Sequence, residues 1–121
     1  MIRKHTISIQ NAWNGLIWAL TSQPNYRIHF FLSGIALLVG YLLQIAYLEF
    51  LTILILIIVG LTIETVNTAI EETTDAIDTH IREDIKRAKD VSAGAMLIFA
   101  IGASIIAGVI FIPKILLLLT F

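Results

Sequence analysis

The sequence predicts an all-α membrane protein, with three transmembrane helices behind an N-terminal amphipathic helix that lies on the membrane surface. Three observations carry that prediction. Of 121 residues, 58% are hydrophobic and 14% are charged, against roughly 25% charged in ordinary soluble domains. A chain this short cannot hide so much apolar surface in water, because small domains bury a smaller share of their surface. Three apolar runs, Phe30–Leu48, Phe50–Ile63 and Val91–Leu119, stand out, and a spanning helix needs about 20 such residues. Lipid offers no partner to an unpaired backbone group, so these runs are helices and not strands. The length suits one domain, residues 1–121. There is no Cys, which excludes disulfides and Cys-ligated metals.

The elements follow in order. Ile9, Ala12, Trp13, Leu16, Ile17 and Leu20 recur at helical spacing. They predict a surface helix within about residues 5–22, some three turns long, with Trp13 and Trp18 at headgroup level. This stretch lacks the continuous apolar region and small-residue cleavage site of a signal peptide. Pro24 ends the helix and Asn25 begins a turn. The first span is expected over about 28–47 and the second over about 49–70, joined by a tight turn near Ala46–Glu49 as an antiparallel hairpin. The polar stretch Glu71–Asp90 leads to the third span, about 91–118, which Pro113 kinks or ends. Seven of the eight basic residues, all but Lys114, precede the first span or lie between the second and third. The positive-inside rule puts the N-terminus and Glu71–Asp90 in the cytoplasm and the C-terminus outside the cell (inner) membrane.

One stretch, "IVGLTIETVNTAIEETTDAID", runs from apolar to acidic without a break. Glu64, Asn67, Glu71, Asp75 and Asp78 fall at i, i+3, i+7, i+11 and i+14, one face of a helix. An ionisable group at the centre of a span costs about 2.5 kcal/mol or more and usually faces a helix bundle or a wet cavity. The plainest reading of a Glu–Asn pair is helix–helix glue, but five polar groups in line across the interface ask for more. Carboxylates at headgroup depth suit Mg²⁺, which takes oxygen ligands and bridges phosphates. A deeper, partly desolvated carboxylate suits a general base. Together they fit phosphoryl transfer to a lipid hydroxyl. The basic groups that such chemistry needs are at hand in "REDIKRAKD" (Arg82, Lys86, Arg87, Lys89), which alone reads as a solvated cytoplasmic loop. Neither a phosphate-binding P-loop nor a protein-kinase signature occurs. His5, His29 and His80 are scattered and read as interfacial residues.

"ETVNTAIEETTDAID" followed by "RAKDVSAGAMLI", with "NAWNGLIWALTSQPNYRIH" upstream, resembles the small bacterial integral-membrane lipid kinases: diacylglycerol kinase and its relative undecaprenol kinase. The likeness covers about Ile9 to Pro113. It implies a homotrimer of three-span protomers whose active sites lie between protomers, with ATP as phosphoryl donor and Mg²⁺ as cofactor. Glu64 then stands at the general-base position and Glu71 at a metal-ligand position. Asn67, Asp75, Lys89 and Asp90 match residues that shape the site or contact nucleotide. His80, Ile81 and Arg82 occupy a nucleotide-contacting place without matching well, and Lys4 and Asn11 fall at further nucleotide contacts. Gln23 stands where the family carries a Glu as second metal ligand, which bears on metal affinity and nucleotide preference. "PNYRIHF" and "IFIPK" resemble the undecaprenol kinases more than the diacylglycerol branch. The expected partners are a membrane lipid, a nucleotide and further copies of the chain, and no nucleic acid. Two other readings stand beside the kinase: a non-catalytic membrane assembly or cation-binding module, and an ion-conducting channel, against which the stripe stops short of Phe50.

Overall fold

The computed structural model describes residues 2–78, 80 and 82–120, with side chains from Thr6 onward. They form four helices: α1 (Ile2–Ser22), α2 (Pro24–Leu42), α3 (Tyr47–Ile77) and α4 (Glu83–Leu119). α3 is the central one and packs against each of the other three. Two of the four, α3 and α4, are long and apolar enough to cross a membrane.

Each boundary has a local cause. Pro24 lacks an N–H and disfavours the helical region for the residue before it. Gln23 is accordingly extended, at φ −98° and ψ 121°, and Pro24 opens α2. The turn that was expected after Pro24 is therefore a one-residue break at Gln23, and α1 fills 21 residues, not three turns. At the far end of α2 the chain reverses earlier than Ala46–Glu49. Ile45 N–H reaches Gly40 C=O at 3.1 Å and Gln44 N–H reaches Tyr41 C=O at 3.2 Å, the two bonds of a Schellman cap. Gln44 takes the left-handed conformation this cap needs, φ 49°. Ile45 closes over Gly40, where an added Cβ would lie 2.9 Å from Ile45 Cδ1. The first span expected over 28–47 is thus helical only to Leu42, and Glu49 caps the start of α3 by accepting from Ala46 N–H at 2.7 Å.

α3 runs seven residues past the expected end of its span, because its polar stripe keeps its helical spacing and no Gly or Pro interrupts it. The expected polar linker Glu71–Asp90 is mostly helix, and only 78–82 lie between α3 and α4. Glu83 and Asp84 open α4, where acidic groups favour a helix N-terminus. α4 continues through Pro113 to Leu119.

α3 and α4 pack antiparallel. Glu49 pairs with Lys114 at 3.0 Å and Asp75 with Lys89 at 2.5 Å. These ion pairs stand 26 residues apart on α3 and 25 on α4, roughly 38 Å at 1.5 Å per residue, somewhat more than a hydrocarbon core of about 30 Å. Midway, Gly60 lets Phe99 in: a Cβ there would meet the ring at 2.6 Å.

A single chain leaves 9240 Å² accessible, whereas a compact soluble monomer of this mass exposes about 6,500 Å². Phe30, Phe31, Leu38, Leu97, Ile98, Ile101 and Val109 are among the many exposed apolar side chains. The regular structure of the described residues is thus all helix, and many large apolar side chains are turned outward, which suits a membrane location.

Candidate active site

The polar stripe of α3 grades from buried to open. Glu64 is 3% exposed, Asn67 and Thr68 are buried, Glu71 is half-buried and Asp75 is exposed. Glu64 lies 17 residues beyond Tyr47, about 26 Å along the axis.

α2 covers the buried end. Tyr26 is its anchor, 1% exposed, with its hydroxyl 2.6 Å from Thr65 Oγ1. Thr65 spends its own proton on Leu61 C=O at 2.7 Å, so Tyr26 is the donor in the pair. One turn further along α2, His29 Nε2 stands 3.6 Å from Glu64 Oε2. His29 escaped the sequence reading, because 35 residues separate it from Glu64. The hairpin held the signal: residues 26 and 29 lie about as far before its turn as 65 and 64 lie beyond it.

Lower on the stripe, Asn67 Nδ2 donates to Glu71 Oε1 at 3.1 Å. The opposite amide orientation would face oxygen with carboxylate, so the assignment is secure on electrostatic grounds. It leaves Asn67 Oδ1 buried without a hydrogen-bond partner. A buried acceptor without a partner costs about 1–3 kcal/mol. From the α1–α2 break, Gln23 Nε2 donates to Glu72 Oε1 at 3.3 Å. The break that Pro24 imposes thus brings Gln23 against the stripe, at Glu72.

Among the described residues there is no cluster of three or more His, Asp or Glu side chains able to hold a metal by themselves. Mg²⁺ does not need one, since it is commonly held by one or two carboxylates together with substrate phosphates and water. The Glu71 carboxylate, the partnerless Asn67 oxygen and the Gln23 carbonyl are hard oxygen donors of that type. Their chemistry fits Mg²⁺, with Asn67 and Glu71 in contact on α3 and Gln23 meeting the neighbouring Glu72.

The outer end of the stripe is held by cations. Lys89 on α4 reaches Asp75. Asp78, just past α3, accepts from the His80 N–H at 2.9 Å and the His80 ring at 2.8 Å. These bonds hold the Asp78 carboxyl below the usual carboxylate range. The clasp is complete above the unfolded value of about 3.9 and is lost as pH falls through the lowered one. Arg82 lies 3.9 Å from Asp78 and 2.7 Å from Asp84. His80 and Arg82 thus close the connection on itself. Asp90 is exposed beside Lys89, and Asn11 is exposed on α1. The Lys4 side chain and Ile81 lie outside the described residues.

An apolar groove of about 310 Å³ runs between α2, α3 and α4 below this site. His29 stands at one end, and Ala36, Ile53, Gly60, Phe99 and Ala103 are among its walls. Along α3 the features thus follow in order: the apolar groove, the buried carboxylate, the oxygen donors and the cations at the outer end of the stripe.

The model of the family described as prokaryotic diacylglycerol kinase matches residues 10–111. The chain is similar to an undecaprenol kinase of Bacillus subtilis, 34% identical over 107 residues, 88% of this chain and 87% of that protein. It is also similar to a diacylglycerol kinase of Synechocystis, 33% identical over 117 residues, 93% of this chain and 65% of that protein. With most of its length matched by the family and by a relative of nearly its own size, the chain belongs to the prokaryotic diacylglycerol kinase family, a family of lipid kinases.

Proposed function

We propose that this protein transfers the γ-phosphoryl group of ATP to the hydroxyl of a membrane lipid, with undecaprenol preferred over diacylglycerol. The observation that carries the reading is Glu64: a carboxylate 3% exposed, with acidic and amide donors below it on the same helix face and an apolar groove beside it. Such a carboxylate is costly unless used. The preference for a polyprenol rests on the undecaprenol kinase relative, which matches this chain nearly end to end.

Glu64 is the general base. It accepts the proton of the lipid hydroxyl as the hydroxyl oxygen bonds to Pγ and the bond from Pγ to the β-bridging oxygen breaks, releasing ADP. Glu71, Asn67 and Gln23 would hold Mg²⁺, which would supply charge neutralisation on the phosphates. Lys89 and Arg82, with Lys4, Asn11, Asp75, His80, Ile81 and Asp90, border the nucleotide. The groove holds the hydrocarbon part of the acceptor, and its apolar walls grip the chain without reading it closely.

In this reading the whole chain is one membrane-embedded domain in the cell (inner) membrane. α2, α3 and α4 span it, α1 lies on the cytoplasmic surface, and the C-terminus is outside. α2 has 19 residues, about 28 Å, close to one hydrocarbon thickness. The excess exposed surface of one chain supports assembly of copies, a homotrimer on the family resemblance.

The test is purified protein with radiolabelled ATP and Mg²⁺ against undecaprenol, shorter polyprenols and diacylglycerol. Labelled polyprenyl phosphate is expected as the main product. Glu64→Gln is expected to lower kcat by about 10²–10⁴, the usual worth of a general base, with ATP binding and oligomer size unchanged. Near-normal turnover in that variant removes Glu64 as base.

A further inference from the structure

We propose that His29 is a positioning residue for Glu64: its Nε2–H fixes one carboxylate oxygen, Oε2, and so presents Oε1 to the lipid hydroxyl. The inference rests on the proposed kinase reading and adds a residue to it.

Four observations lead there. Glu64 is almost fully buried. Among the described residues, His29 is the one cationic or imidazole side chain within ion-pair distance of it, at 3.6 Å. That distance exceeds a hydrogen bond by a few tenths of an ångström, the kind of gap that closes when substrate completes a catalytic site. The imidazole also stands at the end of the apolar groove, which Glu64 itself does not line. A hydroxyl on a chain lying in that groove would meet His29, whose ring stands 3.6 Å from Glu64. Finally, the α2 backbone that carries His29 is pinned one turn earlier by Tyr26, bonded to Thr65 beside Glu64. The two helices are therefore registered where the imidazole needs to be aimed.

A free carboxylate can turn about its last torsion, which is broad, and offer either oxygen in many directions. A donor on Oε2 removes that freedom and leaves one oxygen aimed. His29 neither gains nor loses a proton in the step. The hydroxyl proton goes to Glu64, the new bond forms between the lipid oxygen and Pγ, and ADP leaves. His29 thus acts through Glu64 and not on the lipid.

The experiment compares His29→Leu with His29→Gln, each alone and combined with Glu64→Gln, measuring kcat, both KM values and the thermal midpoint in detergent. Loss of a group that orients a reacting residue costs roughly 10–100-fold. His29→Leu is expected to lower kcat by that factor, with both KM values within twofold and the thermal midpoint unmoved. His29→Gln keeps an N–H donor and is expected to recover most of the lost kcat. In the Glu64→Gln background His29→Leu is expected to cost nothing further, because there is no base left to aim. Three outcomes overturn the proposal: parental kcat in His29→Leu, an equal loss in Leu and Gln variants together with a lower thermal midpoint, or losses that multiply in the double variant. If Glu64→Gln itself turns over normally, the base reading has failed. If only the His29 variants behave like the parent, Glu64 stands and this inference alone falls.

Discussion

Two carboxylates of α3, Glu49 at the turn and Glu64 in the polar stripe, are treated in opposite ways. At the turn end, Glu49 is satisfied: it accepts from Ala46 N–H at 2.7 Å and meets Lys114 at 3.0 Å. In the stripe, Glu64 is more deeply buried, and its one ion-pair partner among the described residues is His29 at 3.6 Å, while below it Asn67 keeps a buried oxygen without a hydrogen-bond partner. A satisfied polar group contributes stability, and a dissatisfied one is free to take a ligand or a proton. On the proposed reading, the turn region of α3 holds the helices together and the stripe from Glu64 to Glu71 serves the chemistry. It also gives opposite expectations for substitutions in the two regions.

The largest effect after Glu64→Gln belongs to Asn67. Asn67→Leu removes a buried acceptor that costs the fold about 1–3 kcal/mol, and also removes the amide that holds Glu71. Turnover is expected to fall by roughly 10–100-fold, the usual effect of losing the partner that orients a metal ligand. The thermal midpoint in detergent is expected to hold or rise. A falling midpoint with normal turnover would make Asn67 ordinary helix glue and erase the contrast between the regions.

Glu49→Ala is the converse. It deletes a helix-start bond and an ion pair whose groups are each about a third exposed. Screening leaves such a pair with a small share of the loss, and the bond to the Ala46 N–H at the helix start supplies most of it. The thermal midpoint is expected to drop, with kcat and both KM values within twofold of the parent. A drop in kcat beyond that range would show that the turn end is coupled to the chemistry, and the division drawn above would not hold.

How far the sequence reveals each region follows the same divide. The stripe from Glu64 to Asp78 is legible because helical periodicity needs nothing beyond i, i+3 and i+7 spacing, and the structure keeps Glu64 to Asp75 on one unbroken helix with Asp78 at its C-cap. The helical class and the membrane-grade apolar runs are legible from composition. What is not legible is pairing between helices. Lys89 and Asp75 were each singled out, but their contact depends on where the connection 78–82 turns. His29 passed for an interfacial residue because nothing local marks it. Gln23 was placed as a metal-site residue, and the contact it makes, with Glu72, depends on the angle of the break at Pro24. Boundaries slipped where backbone chemistry decides them: α2 stops at Leu42 because of a Schellman cap that has Gln where Gly is usual, so no glycine advertised it.

That Gln is where the smallest effect is expected, and it tests whether the turn end is purely structural. Gln44 sits at φ 49°, a conformation that costs a residue with a Cβ roughly 1–2 kcal/mol. Gln44→Gly removes that strain but gives the unfolded chain more freedom, which takes back about 0.5–1 kcal/mol. The difference favours the variant by about 0.5 kcal/mol or slightly more, a small rise in thermal midpoint with no change in turnover. The two cap bonds, from Ile45 to Gly40 and from Gln44 to Tyr41, use backbone groups only and survive the substitution. Gln44 is exposed, so no buried contact of its amide opposes the gain. A lower midpoint would mean that the side chain stabilises the turn more than its backbone strain costs. The turn end would then hold a stabilising contact beyond its Glu49 network.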